Sequence, residues 1–222
     1  LMTKIGTELF AEALKDFPDQ KALWWPRFER LARAYLMWEE GREVKPSARH
    51  SEVYARVPIR VDGSYFYLSG EADRIDELSD GTLAIIDFKT GEPPSAKQVK
   101  AGLNAQLALE VAMKQRGAFD FKGGLSQKPV SVIGWVKVNG RDVVAPFKPA
   151  NIMDKKNEPG DTPEELGALA ERQLISLIRQ YRSPSQGYMS RPRADFETRF
   201  QGDYDHLARI KEWQLATEEG GE

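Results

Sequence analysis

The stretch GEADRIDELSDGTLAIIDFKTG, residues 70–91, decides how the chain folds. Its second half, TLAIIDFK, is apolar enough for a buried strand, yet it carries Asp87 and Lys89. Side chains alternate across a strand, so Asp87 and Lys89 share a face with Ile85 while Ile86 and Phe88 point the other way. Both charges therefore enter one space. Ser79-Asp80-Gly81 suits a three-residue hairpin loop closed by a left-handed glycine, which pairs Leu78 with Thr82. That register sets Asp73 opposite Asp87 and Glu71 opposite Lys89.

Over a wider window, residues 52–89 alternate in three runs, EVYARVPIRV, SYFYLSGEADRI and TLAIIDFK, separated by Asp62-Gly63 and Asp80-Gly81. Such pairs are strong hairpin signals, and the whole reads as a three-stranded antiparallel meander. A two-residue turn at Asp62-Gly63 pairs Val61 with Ser64, and counting back brings Glu52 beside Asp73. Glu52, Glu71, Asp73, Asp87 and Lys89 then project from one face. Carboxylates placed opposite each other repel, and burying them uncompensated is costly. A divalent cation resolves the conflict, and oxygen ligands at this spacing suit Mg²⁺ or Mn²⁺. A lysine two residues beyond such a ligand can hold the attacking water and offset charge developing on a phosphate. The pattern is that of metal-assisted phosphodiester cleavage. The alternative is an ion pair in which Lys89 bonds Glu71 or Asp73 and Asp87 caps a turn.

Residues 3–40 read as helices broken at Pro18, with Phe10, Leu14, Trp25, Phe28, Leu31, Ala32, Tyr35 and Leu36 at helical spacing. Trp24, Trp25 and Trp38 belong to this region and serve its core; stacking on bases is their other use. After the meander, Ser95 caps a helix, AKQVKAGLNAQLALEVAMKQRG, that ends at Gly117. Val130 to Val138 and Asp142 to Phe147 read as two more strands joined by Asn139-Gly140. Thr162-Pro163-Glu164-Glu165 opens a long amphipathic helix to about Tyr181. The expected organisation is a single domain over residues 1–222, with a helical N-terminal region at 1–48, the sheet and helix that carry the candidate catalytic residues at 49–148, and a helical C-terminal region at 149–222. Leu1 opens within a helical pattern, so the chain reads as a piece of a longer protein.

Composition narrows the chemistry. The 222 residues are 41% hydrophobic and 30% charged, and none is cysteine, which excludes disulfides, thiol nucleophiles and cysteine-held iron–sulfur clusters. No apolar run approaches the ~20 residues of a membrane span, and no signal-peptide pattern opens the chain, so the expected location is the cytoplasm. With a net charge of −2, contact with nucleic acid must be local. Arg182, Tyr188, Arg191 and Arg193, in a proline-bearing loop, form the best basic and aromatic cluster for DNA; a solvated loop is the alternative. The chain has no GxxxxGK[ST] phosphate loop and is therefore no ATP-driven motor.

GEADRID, a hairpin, IIDFKTG and a helix carrying NAQL, in this order, resemble the RecB-type branch of the PD-(D/E)XK nuclease superfamily. Within it, FKTGEPPSAKQVKAGLNAQLALEVAM and GDYDHLARIKEW look most like the C-terminal nuclease domains of the alphaproteobacterial AddB family of helicase-nuclease subunits. The resemblance implies an α/β, restriction-endonuclease-like core, a central mixed sheet with the antiparallel three-strand meander flanked by helices. It further implies a Mg²⁺ (or Mn²⁺)-dependent DNA exonuclease domain in double-strand break repair, with DNA and an AddA-like helicase-nuclease subunit as partners. By the same resemblance Asp73 and Asp87 bind metal, the Phe88 carbonyl adds a ligand, Lys89 positions water, and Gln106 supports the site. The alternative is an inactive nuclease-fold module for DNA binding or assembly. Three departures stand out. No histidine falls on an N-terminal helix, since His50 and His206 lie elsewhere; no cysteines hold an iron–sulfur cluster; and Glu110 stands four residues after the glutamine, where tyrosine is frequent.

Overall fold

The computed structural model describes residues 2–120, 124–142, 144, 147–151 and 162–188. The expected α/β architecture is found: a five-stranded mixed sheet, in spatial order β1-β2-β3-β4-β5, with helices against it. The strands are β1 (Pro46–Val61), β2 (Ser64–Leu78), β3 (Leu83–Lys89), β4 (Val130–Val138) and β5 (Phe147–Asn151). The helices are α1 (Met2–Ala13), α2 (Pro18–Gly41), α3 (Ala96–Lys100), α4 (Gln106–Gln115) and α5 (Pro163–Arg182). Two compact units divide the chain, residues 1–177 and 178–222.

The meander forms in the expected register. Asp62 and Gly63 both take positive φ, 49° and 85°, and Val61 pairs with Ser64. Gly81 has φ 87°, a conformation that costs glycine nothing, and the Leu78 N–H donates to the Thr82 carbonyl at 2.8 Å. From that closing pair the ladder runs Glu77↔Leu83, Asp76↔Ala84, Ile75↔Ile85 and Arg74↔Ile86. The α3–α4 segment then crosses over to make β4 parallel to β3, so the sheet is mixed.

Two faces of the sheet are covered. On one, Val53, Val57, Ala72, Ile75, Ile85, Ile133 and Trp135 pack with Leu107 and Val111 of α4 and Leu166 of α5. Gly167 is required there, because a Cβ would come within 2.8 Å of Val111 Cγ1. On the other, Leu78, Ala84, Ile86 and Val136 pack with Trp38 of α2, Val44 and Phe88. The alternation expected of TLAIIDFK is therefore real, since Ile85 and Ile86 belong to different cores.

Three details differ from the sequence expectation. The helix expected from Ser95 to Gly117 is two helices: Ser95 caps α3 with Gln98 in a reciprocal box, and Gly102, at φ 72°, breaks the run before α4 begins at Gln106. The strand expected at 142–147 begins at Phe147 and runs to Asn151, because Asn139 bonds the Arg141 and Asp142 N–H groups and closes a local turn instead of a tight hairpin. Of the tryptophans expected in the core, Trp25 packs against Phe10 and Phe28 and Trp38 lies under Arg42 and Arg74, whereas Trp24 is exposed, with Arg27 over its ring. The expected helix DYDHLARIKEW lies outside the described residues.

Candidate functional site

Strand β3 supplies the centre of the site. Asp87 is 2% exposed and shares its face with Ile85, the face that α4 covers. Its Oδ1 accepts a hydrogen bond from Gln106 Nε2 at 2.6 Å and another from Lys89 Nζ at 3.0 Å. Lys89 Nζ also lies 2.8 Å from Asp87 Oδ2 and donates to Gln106 Oε1 at 3.0 Å. Asp87, Lys89 and Gln106 therefore close a triangle between the sheet and the first turn of α4.

Asp73 comes from β2, one step beyond the last pair, Arg74↔Ile86, so the register carries it opposite Asp87. Its Oδ2 accepts the Phe88 N–H at 2.7 Å, which ties its carboxylate to the backbone of the strand bearing Asp87 and Lys89. The neighbouring β1–β2 ladder is kinked at the same level. The β1–β2 ladder passes from Val53↔Ala72 to Ser51↔Arg74, skipping Glu52 and Asp73, and Glu52 takes φ 49°. Ala72 and Ile75 consequently both reach the same core, which regular alternation would forbid.

Glu110 completes the group. It lies one helical turn after Gln106, is 6% exposed, and accepts from Gln106 Nε2 at 3.4 Å. Burial pushes its carboxyl up to about 8; the Gln106 bond and the Lys89 charge oppose this, while the Asp87 and Asp73 charges add to it. The sequence set Glu110 on the helical stripe with Gln106 that should face the sheet and marked it as a departure from a pattern, but gave it no part in the site. Its place on that apolar stripe, with Gln106 and Met113, was the signal that could have assigned it one.

Several expected residues are not brought to this group. Glu52 is exposed, next to the core residue Val53 and at a backbone φ of 49°, and does not join the cluster. Glu71 pairs with Tyr54, 63% exposed, on the opposite face of the β1–β2 ribbon. Lys89 thus pairs with Asp87 and Gln106, and not with Glu71. His50, on β1, bonds Glu77 at 2.9 Å. In the second unit Tyr188 is 85% exposed and stacks on Tyr181 with ring centroids 5.0 Å apart, while Arg182 ends α5. Arg191, Arg193 and His206 lie outside the described residues.

The chemistry of the donor set fits a hard divalent cation. Asp87 Oδ2, on the strand next to Asp73, is buried without a hydrogen-bond partner, and its neighbour is the Lys89 ammonium. Among the described residues no group of three or more His, Cys, Asp or Glu is placed to hold a metal ion. Two carboxylates plus water is the provision Mg²⁺ favours.

A mixed sheet with an Asp…Asp-x-Lys set on adjacent strands and a helical glutamine above it defines a nuclease-type site. The PD-(D/E)XK nuclease superfamily model matches residues 3–212, and the chain belongs to that superfamily. Nucleases of this superfamily generally use divalent metals. The chain is also similar to an uncharacterized protein of Rickettsia typhi, 25% identical over 124 residues, covering 56% of this chain and 14% of that protein. A second relative, from Rickettsia bellii, is 26% identical over 100 residues, covering 45% of this chain and 12% of its own length. The chain thus spans only a small fraction of the curated relatives it matches. The solved structure of SSO0001 is 15% identical over 81% of this chain and 80% of that one, at a TM-score of 0.32, and no argument rests on it. No helix among the described residues is long and apolar enough to cross a membrane.

Proposed function

We propose that this chain is a DNA exonuclease domain, dependent on Mg²⁺ or Mn²⁺, that hydrolyses phosphodiester bonds. The observation that carries the reading is the Asp87–Lys89–Gln106 triangle beside Asp73, with a buried carboxylate oxygen turned to no hydrogen-bond donor but a lysine. Asp73, Asp87 and the Phe88 carbonyl would hold the ion. When bound, the cation supplies a Lewis acid that polarises the phosphate and acidifies water. Lys89 holds the attacking water and faces the charge that develops on the phosphate oxygens. Gln106 accepts from Lys89 and donates to Asp87, so it sets the direction of both. Arg182, Tyr188, Arg191 and Arg193 would steady the strand through phosphate contacts and stacking. The resemblance to AddB domains supports a cytoplasmic setting within a helicase-nuclease machine for double-strand break repair, with an AddA-like subunit as partner.

The test is incubation with end-labelled single- and double-stranded DNA, with and without Mg²⁺ or Mn²⁺, alongside calorimetric titration of the metal. Release of terminal nucleotides only with metal, and a metal-binding heat that disappears in Asp87→Ala, are expected. Internal cuts without terminal release would overturn the exonuclease reading. A folded protein that takes up no metal and still binds DNA would be the inactive module instead.

A further inference from the structure

Glu110 sits where a helix that only packs would place an apolar residue. Its neighbours in α4, Val111 and Met113, are 0% and 2% exposed, and Glu110 itself is 6% exposed. One carboxyl oxygen, Oε1, meets Gln106 Nε2 at 3.4 Å, and the other, Oε2, has no hydrogen-bond partner. A buried polar group left half-satisfied weakens a fold, and such exceptions concentrate where function requires them.

Gln106 needs an anchor. It is the first residue of α4, where the N-cap residue Ala105 makes no side-chain cap, and the chain before it has just turned at Gly102. An amide side chain also has two orientations related by a flip. Lys89 only donates and the Asp87 carboxylate only accepts, so one orientation serves both and the other sets like against like. Glu110 rises from the buried middle of α4 and contacts the NH₂ side of the amide. Whatever its protonation state, one oxygen remains to accept that bond.

We propose that Glu110 is a positioning residue of the hydrolytic site: its carboxyl anchors the Gln106 amide with Nε2 toward Asp87 and Oε1 toward Lys89. The inference rests on the nuclease reading for its catalytic consequence, but the anchor itself is a property of the metal-free protein.

The test uses the full chain with Glu110→Leu, Gln106→Ala and the double variant. Three readouts are followed: thermal unfolding, Mn²⁺ calorimetry, and the Gln106 side-chain amide signals of ¹⁵N-labelled protein, assigned by their absence from Gln106→Ala. Glu110→Leu should unfold no lower than the parent, because leucine suits the apolar position. Its Gln106 amide signals should broaden or shift, Mn²⁺ affinity should change little, and kcat for DNA cleavage should fall by about 10- to 100-fold with KM nearly constant. In the Gln106→Ala background Glu110→Leu should add no further loss. Unchanged Gln106 amide signals, a fully additive double variant, or loss of Mn²⁺ binding in Glu110→Leu would each overturn the proposal, the last by making Glu110 a ligand. A parent protein without Mn²⁺ binding or cleavage, in which Glu110→Leu still loosens the amide, would defeat the nuclease reading and leave the anchor standing.

Discussion

Strands β2 and β3 carry buried charges on both of their faces, and the two sets are built differently. On the α2 face, Arg74 and Asp76 are 4% and 0% exposed and bond twice, at 2.7 and 2.8 Å. Arg74 also meets Glu39 at 2.5 Å and the Tyr35 hydroxyl at 3.0 Å, and its guanidinium lies over Trp38. Arg42 closes the other side of Asp76, and Arg49 reaches Glu39 at 2.7 Å. Burial works against the Arg74 charge, yet Asp76 and Glu39 outweigh it and hold the proton more firmly than usual. On the α4 face, Asp87 and Glu110 share the Gln106 amide, the single lysine bonds Asp87, Asp73 accepts the Phe88 N–H, and Asp87 Oδ2 and Glu110 Oε2 lack a hydrogen-bond partner. The α2 set puts three arginines on two carboxylates and is closed by charge, locking α2 to the sheet, although Glu39 Oε1 beside Arg74 also lacks a hydrogen-bond partner. The α4 set has more carboxyl groups than cations, and this open set suits binding of something the protein does not itself supply.

Lys89→Ala challenges this contrast most strongly. On the open face one lost charge removes stabilisation of the transition state more than packing, so cleavage should fall by about 10²–10³-fold or more while the unfolding transition barely moves. Asp87→Asn should lose metal affinity as well, and Lys89→Ala should not. Calorimetry showing equal loss of affinity in both would mean that Lys89 belongs to the metal's own shell and the assignment of roles is wrong.

On the closed face the consequence is inverted. Arg74→Ala strands Asp76 and Glu39 in a buried place and should destabilise the fold by about 3–5 kcal/mol. Urea unfolding measures this directly. Where the variant remains folded, its Mn²⁺ affinity should match the parent. A variant that unfolds normally but loses metal would show that the network acts on the neighbouring Asp73 and not on α2.

Most of the fold was legible because local chemistry dictated it. Gly81 fixed the hairpin loop, the loop fixed Leu78 opposite Thr82, and that register alone carried Asp73 to Asp87. The Asp87 and Lys89 positions were equally plain, since two charges in TLAIIDFK break an apolar run. What lay beyond reach was long-range or subtle. Nothing local announces that Glu52 turns left-handed and leaves the site, since a glutamate in a strand has no intrinsic reason to take φ 49°. Gly102 sits inside a convincing helical pattern, so the break before Gln106 was hidden, although it starts the helix at the residue that meets Lys89. The Arg74–Asp76–Glu39 network joins β2 to a helix far back in the sequence, and only the packing of α2 reveals it.

The mildest effect expected is in the pH dependence of stability of the metal-free protein, where the two faces should respond with opposite sign. Glu110 is held near 8 in the folded chain against an ordinary 4.5, chiefly by burial, so the folded state binds its proton more tightly. Its contribution is complete below about 4.5 and is lost as pH rises through about 8, with a slope of up to about 1.4 kcal/mol per pH unit. For Glu39, burial pushes upward, but the bonds and charges of Arg74 and Arg49 prevail and hold its carboxyl below 4.5. Its contribution is present above 4.5 and is lost as pH falls through the lower folded value. Urea midpoints measured in EDTA should therefore decline for the parent between about pH 5 and pH 8, and Glu110→Gln should flatten that limb. Glu39→Gln should leave it unchanged and soften only the acid limb. A decline that survives Glu110→Gln would mean that Glu110 is better solvated or paired than its buried place on α4 requires, and the open face would then be no more strained than the closed one.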